Sequence, residues 1–228
     1  MMATAGAVRN ASPTDTTTTS ALLTCGVVAG PLYIVVVAIH ALTRDGFDLT
    51  RHPASLLSTG DLGWVQITTF VVSGMLTIAC AVGMRRVLRP GMGGTWGPLL
   101  IGAYGAGLIA AGVFVADPAD GFPPGTPPGP ADPVSWHGAV HFVVAAIAFL
   151  ALVTACFVFA RRFASLGQRG WAVYCATTGA VFFAAFAGIA TGSGTAVLGV
   201  AFAAAVVLGW TWLSVLAARL TTEEASGG

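Results

Sequence analysis

Six apolar segments, each about as long as a membrane-spanning helix, constrain this chain more than any other feature. They cover residues 21–42, 62–84, 97–116, 136–160, 170–190 and 196–218. A helix of about 20 apolar residues crosses a hydrocarbon layer of about 30 Å. Barrel strands are excluded because they are half as long and alternate between polar and apolar residues. The chain is 56% hydrophobic and 8% charged, whereas charged residues make up about 25% of a soluble domain.

The segments predict an all-α integral membrane protein, a six-helix transmembrane bundle with both termini cytoplasmic. Residues 21–220 are expected to form one transmembrane domain. The polar, threonine-rich residues 1–20 are typical of a disordered cytoplasmic tail, and residues 221–228 would be a second, short one. Nucleic acid is not expected as a partner, because the chain has no basic run that could follow phosphates.

The distribution of arginine predicts the orientation of the bundle. If the N-terminus is cytoplasmic, eight of the ten arginines lie on the cytoplasmic side, as the positive-inside rule expects. All six tryptophans also fall near predicted span ends, where an amphipathic ring is favoured. They are Trp64 and Trp136 at outer ends, and Trp96, Trp171, Trp210 and Trp212 at inner ends.

Small residues spaced by four in the third and fifth spans predict close helix packing. The third span carries two such rows, Gly102, Ala106 and Ala110, and Gly107 with Ala111. The fifth span carries Ala176, Ala180, Ala184, Gly188 and Gly192. Both helices are therefore expected in the bundle interior.

All four histidines and six of the nine acids lie on the predicted outer face, in two loops and the helix ends beside them. Asp117 precedes a proline, which should end the third span at that point. Asp132 and Pro133 suit the N-cap and first position of a helix, so the fourth helix should start near residue 133.

His137 and His141 would then lie four residues apart on one helical face, an arrangement that can present two imidazoles to one divalent metal. With Asp117 as a third ligand, they form a candidate metal site for zinc. The candidate bases are Asp61, His52 and Asp48. The expected pocket residues are Ser55, Ser58, Gln66 and His40.

Two features of the outer face have a second interpretation. His137 and His141 would instead be interfacial histidines bonded to loop carboxylates, since no HExxH motif supplies a general base. The proline-rich stretch 121–130 is either a stiff cover over the bundle or a plain connector.

Three stretches of the chain resemble a known family. They are HPASLLSTGDLGWVQ at the second span, residues 85–127 with their Asp-Pro step, and SWHGAVHF followed by ACFVFARRF. Together they resemble the prokaryotic membrane family known as domain of unknown function 998, over roughly residues 20–220. The resemblance implies a multi-pass protein of the bacterial plasma membrane without an assigned activity.

Two functions follow from these patterns. The first is a membrane protein whose outer His/Asp pocket binds a small molecule, a lipid headgroup or an ion, since no complete catalytic motif is present. The alternative is a zinc-dependent hydrolase of lipid-like substrates at the outer leaflet, similar in its parts to alkaline ceramidases and adiponectin-type receptors. Membrane lipids are the expected partners. A transporter is disfavoured because no span midplane carries an acid or an arginine.

Overall fold

Over residues 13–191 and 195–227, the computed structural model of the chain contains six α-helices and no strand. They are α1 (Pro13–Thr43), α2 (Gly63–Leu88), α3 (Trp96–Val113), α4 (Trp136–Ser165), α5 (Arg169–Ala190) and α6 (Ala196–Gly227). Each is long and apolar enough to cross a membrane, which confirms the six-span all-α prediction. A 3₁₀ turn, Ala54–Ser58, lies between α1 and α2.

The helices form a closed bundle in which each packs against the next and α6 packs back against α1. Because neighbours run in opposite directions, the two long loops, 44–62 and 114–135, emerge at one end, here named the loop end. The short connections 89–95 and 166–168 emerge at the other end, here named the arginine end.

The first and last helices extend into the residue ranges predicted as tails. Helix α1 already begins at Pro13, so residues 13–20 belong to the first helix; residues 1–12 lie outside the described chain. Helix α6 continues to Gly227, so residues 221–227 extend the last helix instead of forming a separate tail.

The predicted boundaries of the third and fourth helices were wrong by three or four residues. Helix α3 ends at Val113, before Asp117. Helix α4 begins at Trp136, and its N-cap is Ser135 instead of Asp132. The Ser135 hydroxyl accepts a hydrogen bond from the Gly138 N–H at 3.0 Å, which satisfies a free donor of the first turn.

Two of the six tryptophans lie in the core of the bundle. Trp210 is 1% exposed and stacks on Tyr33, with ring centroids 4.7 Å apart. Trp212 is fully buried, and its indole N–H donates to the Cys175 sulfur at 3.2 Å.

Close packing of α2 and α3 depends on glycines that the four-residue rows did not include. A Cβ at Gly74 would lie 2.6 Å from the Gly105 carbonyl oxygen, and one at Gly105 would lie 2.8 Å from that of Gly74. The predicted row containing Gly107 does face α4, where a Cβ would meet Ala148. In α5, Ala180 is exposed, so the predicted row there is not the buried face; its last member, residue 192, lies outside the described chain.

Replacing Gly105 with alanine should lower the free energy of unfolding in detergent by about 1–3 kcal/mol, because overpacking forces two backbones apart. Gly170→Ala is the matched control, since nothing lies within 4 Å of its Cβ position. Thermal unfolding of both variants tests the close contact between α2 and α3. Equal stability of the two would show that α2 and α3 are not in contact at Gly105.

Candidate functional site

The side chains of His141 and Asp117 bind backbone groups at helix ends. Nδ1 of His141 lies 2.8 Å from the Phe114 carbonyl oxygen and 3.2 Å from that of Ala111, so its N–H donates to the end of α3. The Asp117 carboxylate accepts a hydrogen bond from the Ser135 N–H at 2.8 Å, just before α4. The two residues therefore fasten the end of α3 to the start of α4.

The position of Asp117 explains why the first turn of α4 needs a glycine at residue 138. A Cβ at Gly138 would overlap the Asp117 carboxylate, which lies against the first turn of the helix. A negative charge is favoured there by the helix dipole. His137 is exposed and stacks on Trp136, with ring centroids 4.0 Å apart.

The predicted metal ligands Asp117, His137 and His141 are not brought together. Within residues 13–191 and 195–227, no three His, Cys, Asp or Glu side chains form a group that could hold a metal ion. Two of the three predicted ligands are engaged with backbone groups, and His137 lies against Trp136. The second interpretation, hydrogen-bonded histidines, describes His141, although its partners are carbonyls instead of carboxylates.

At the loop end, the two long loops pack together into a cap around Phe122. This side chain is fully buried and contacts Phe47, with ring centroids 5.2 Å apart. The Arg44 guanidinium lies 5.2 Å from the Phe122 ring centroid and donates to the Thr59 carbonyl oxygen at 2.8 Å. Arg44 therefore joins both loops to the end of α1.

The proline-rich stretch takes part in this cap. Cβ positions at Gly60 and Gly46 would lie 3.0 Å from Pro123 and Pro124 respectively. Both glycines have positive φ, of 70° and 78°, which favours glycine at these close approaches. The contacts of Pro123 and Pro124 therefore support the interpretation of the proline-rich stretch as a cover.

Two of the predicted bases, His52 and Asp48, stabilise the cap. Nδ1 of His52 accepts from the Asp48 N–H at 2.9 Å, so Nε2 donates to the Asp120 carbonyl oxygen at 3.0 Å. Hydrogen bonds from the Thr50 hydroxyl and N–H lower the pKa of the Asp48 carboxyl. Asp61 is exposed. A catalytic role for any of these residues stays a prediction.

Of the predicted pocket residues, Ser58 also serves the cap. Its hydroxyl donates to the carbonyl oxygen of Ser55 at 2.6 Å, within the 3₁₀ turn. Gln66 and His40 differ because they lie inside the bundle, 0% and 5% exposed.

The contact between α1 and α2 places His40 opposite Gln66. A Cβ at Gly26 would overlap Cys80, which fixes the antiparallel register of the two helices. Counting seven residues from Gly26 and from Cys80 towards the loop end, this register pairs Tyr33 with Ser73. Counting fourteen residues pairs His40 with Gln66. Seven residues are nearly two helical turns, or about 10 Å. The interface therefore holds two polar layers at different depths, here named the polar seam.

The polar seam contains side-chain atoms without hydrogen bonds. Within the described chain, neither amide atom of Gln66 has a partner within 3.5 Å, and the same holds for Nδ1 of His40 and the Ser73 hydroxyl. The Tyr33 hydroxyl has a weak hydrogen-bonding contact with Gln66. The indole N–H of Trp210, which stacks on Tyr33, is also unpaired among these residues. Most buried polar groups in proteins are paired, so this concentration marks the seam as the candidate site.

The hydrogen-bonding capacity of the outer layer can be assigned. Nε2 of His40 lies 3.5 Å from Nη1 of Arg44. Because a guanidinium only donates, Nε2 accepts, and in the neutral ring Nδ1 carries the proton. With the Gln66 amide, the layer offers three N–H donors and one carbonyl acceptor.

Sequence reasoning included Gln66 and His40 but missed Tyr33, Ser73 and Trp210. The signal that was available is the seven-residue spacing of polar side chains, from Tyr33 to His40 and from Gln66 to Ser73. This spacing places each pair on one face of its helix. The missing information was the register between the two helices.

Replacing His141 with alanine should lower the free energy of unfolding by about 1–3 kcal/mol, because the carbonyl oxygens at the end of α3 lose their donor. His137→Ala is the control and should change it by less than about 0.5 kcal/mol, as for an exposed side chain. Thermal unfolding in detergent compares the two. A larger loss from His137→Ala would contradict the helix-end role of His141.

Comparison with protein-family models gives a match over most of the chain. The model of a family described as protein of unknown function (DUF998) matches residues 27–219. No curated protein matches the chain, and no solved structure matches it.

Proposed function

Because the chain belongs to the DUF998 family, whose function is unknown, we propose its role from its geometry: a membrane protein that binds an oxygen-rich polar group in the outer layer of the polar seam. The group is a lipid headgroup or a small hydroxylated molecule. One observation carries the proposal, the fully buried Gln66 amide, whose nitrogen and oxygen both lack a hydrogen bond of ordinary length within the described chain.

An energetic argument supports this role. A buried polar group without a hydrogen bond costs about 1–3 kcal/mol on the evidence of protein mutations. Gln66 and His40 face each other at one level and each leaves N–H groups unpaired among the described residues. A ligand that accepts hydrogen bonds from both side chains would remove this free-energy cost for His40 on α1 and for Gln66 on α2.

The donors favour a particular ligand chemistry. Three N–H groups against one carbonyl select a group with more acceptors than donors, such as ester, phosphate or hydroxyl oxygens. The Arg44 guanidinium beside His40 adds a positive charge, which favours a dipolar or anionic group. Glycerol-based headgroups have this composition.

The orientation is part of the proposal. Among the described residues, seven arginines lie towards the arginine end and two towards the loop end, which favours a cytoplasmic location for the arginine end and would put the cap and the outer layer of the seam outside. The ligand would then come from the outer leaflet or the external medium. The zinc-dependent hydrolase gains no support, because its three predicted ligands have other partners or lie apart.

Replacing Gln66 with methionine, a side chain of similar length, should abolish ligand binding without destabilising the empty protein, because it removes an unpaired buried amide. Native mass spectrometry of wild type purified from its membrane should show a retained molecule that Gln66→Met lacks. Binding measurements with phosphatidylglycerol and with water-soluble glycerol phosphate then show whether the ligand is a lipid or a small molecule. A bound ligand at ten times its Kd should stabilise the wild type by about 1.4 kcal/mol.

Thr69→Val is the matched control on the same buried face of α2. The Thr69 hydroxyl already donates to the Val65 carbonyl oxygen in its own helix, at 2.7 Å, so it is not needed by a ligand. This variant should retain the molecule. Equal retention by wild type and Gln66→Met would contradict the proposal, as would a large loss of stability in unliganded Gln66→Met.

A further inference from the structure

A cleft of about 610 Å³ lies at the arginine end, between the end of α2 and the start of α3. It is lined by Arg89, Pro90, Gly91, Met92 and Thr95, and is here named the arginine cleft. It is remote from the polar seam and the cap, which lie towards the other end of the bundle.

Two guanidinium groups flank the turn that forms the cleft. Nη1 of Arg162, from α4, donates to the Met92 carbonyl oxygen at 2.7 Å, and its side chain packs on Gly93. Nη2 of Arg89, from the end of α2, lies 3.4 Å from the Thr95 hydroxyl. Each guanidinium has five N–H donors, so both retain donors for a further partner.

The charge around the cleft has one sign. Residues 85–95 and 161–170 contain six arginines and no aspartate or glutamate. Among the residues that the structure describes, the ion pair of an arginine with an acid is found elsewhere, between Arg219 and Glu223 at 2.8 Å. The cleft therefore attracts anions.

The rim of the cleft is apolar and exposed. Met92 is 54% exposed, Trp96 is 64% exposed and Leu99, one turn further along α3, is 54% exposed. Tryptophan at a span end is favoured at the depth of lipid headgroups. A molecule in the cleft would thus meet guanidinium groups on one side and the bilayer boundary on the other.

We propose that the arginine cleft binds the phosphate of an anionic phospholipid in the leaflet at the arginine end. Arg89 and Arg162 bind the phosphate oxygens, for which planar guanidinium groups are well suited. The Thr95 hydroxyl supplies a further donor beside them. The exposed Met92 and Trp96 contact the glycerol and upper acyl chains. Free phosphate shares the charged part of this chemistry but lacks the apolar part.

The test is a titration of the full chain in phosphatidylcholine nanodiscs with phosphatidylglycerol, read by native mass spectrometry. Arg89→Gln combined with Arg162→Gln should weaken phosphatidylglycerol binding about tenfold or more. Arg169→Gln is the matched control, an exposed arginine at the same end but outside the cleft. It should weaken binding less than Arg89→Gln alone, because both guanidinium groups beside the cleft remain. Equal weakening by the control would overturn the proposal.

Two further measurements keep the result interpretable. Arg89→Gln alone removes only the 3.4 Å contact with Thr95 among its described hydrogen bonds, so it tests the site even if the double variant fails to fold. Unchanged phosphatidylglycerol binding by folded Arg89→Gln would overturn the proposal. Inorganic phosphate is the second arm: displacement of the lipid by phosphate at equal concentration would overturn the lipid assignment.

Discussion

A bilayer interior offers a polar group no water, so each N–H, hydroxyl and amide in a membrane bundle must find its partner within the protein. Several polar side chains obey that constraint: Thr69 and Thr77 of α2 donate to carbonyl oxygens of their own helix, and His141 donates to the end of α3. The polar seam departs from it within the described chain. The proposed function depends on this departure, because a bound molecule would supply hydrogen-bond partners for these donors.

The architecture was predictable because span length and hydropathy follow directly from bilayer thickness. The candidate site was harder to predict from the sequence. The spacing of the histidines predicted a metal site, but His141 and Asp117 form hydrogen bonds with backbone groups at the ends of α3 and α4. Those helix ends cannot be located from the sequence alone. The seam required the register of α1 on α2, which Gly26 and Cys80 fix by close contact.

The two ends of the bundle carry different chemistry for physical reasons. At the loop end, Arg44 and Phe122 join two long loops into a cap above the seam. At the arginine end, short connections bring guanidinium groups together without acids, and one of them, Arg162, holds a backbone carbonyl. The resulting asymmetry predicts both the orientation and the distinct ligands proposed for each end.

An experimental density map of the protein purified with its native lipids tests the central claim most directly. The account predicts density larger than a water molecule between the Gln66 amide and the His40 imidazole, within hydrogen-bonding distance of both. Gln66 and His40 hydrogen-bonded to each other or to neighbouring side chains, with no density between them, would contradict it.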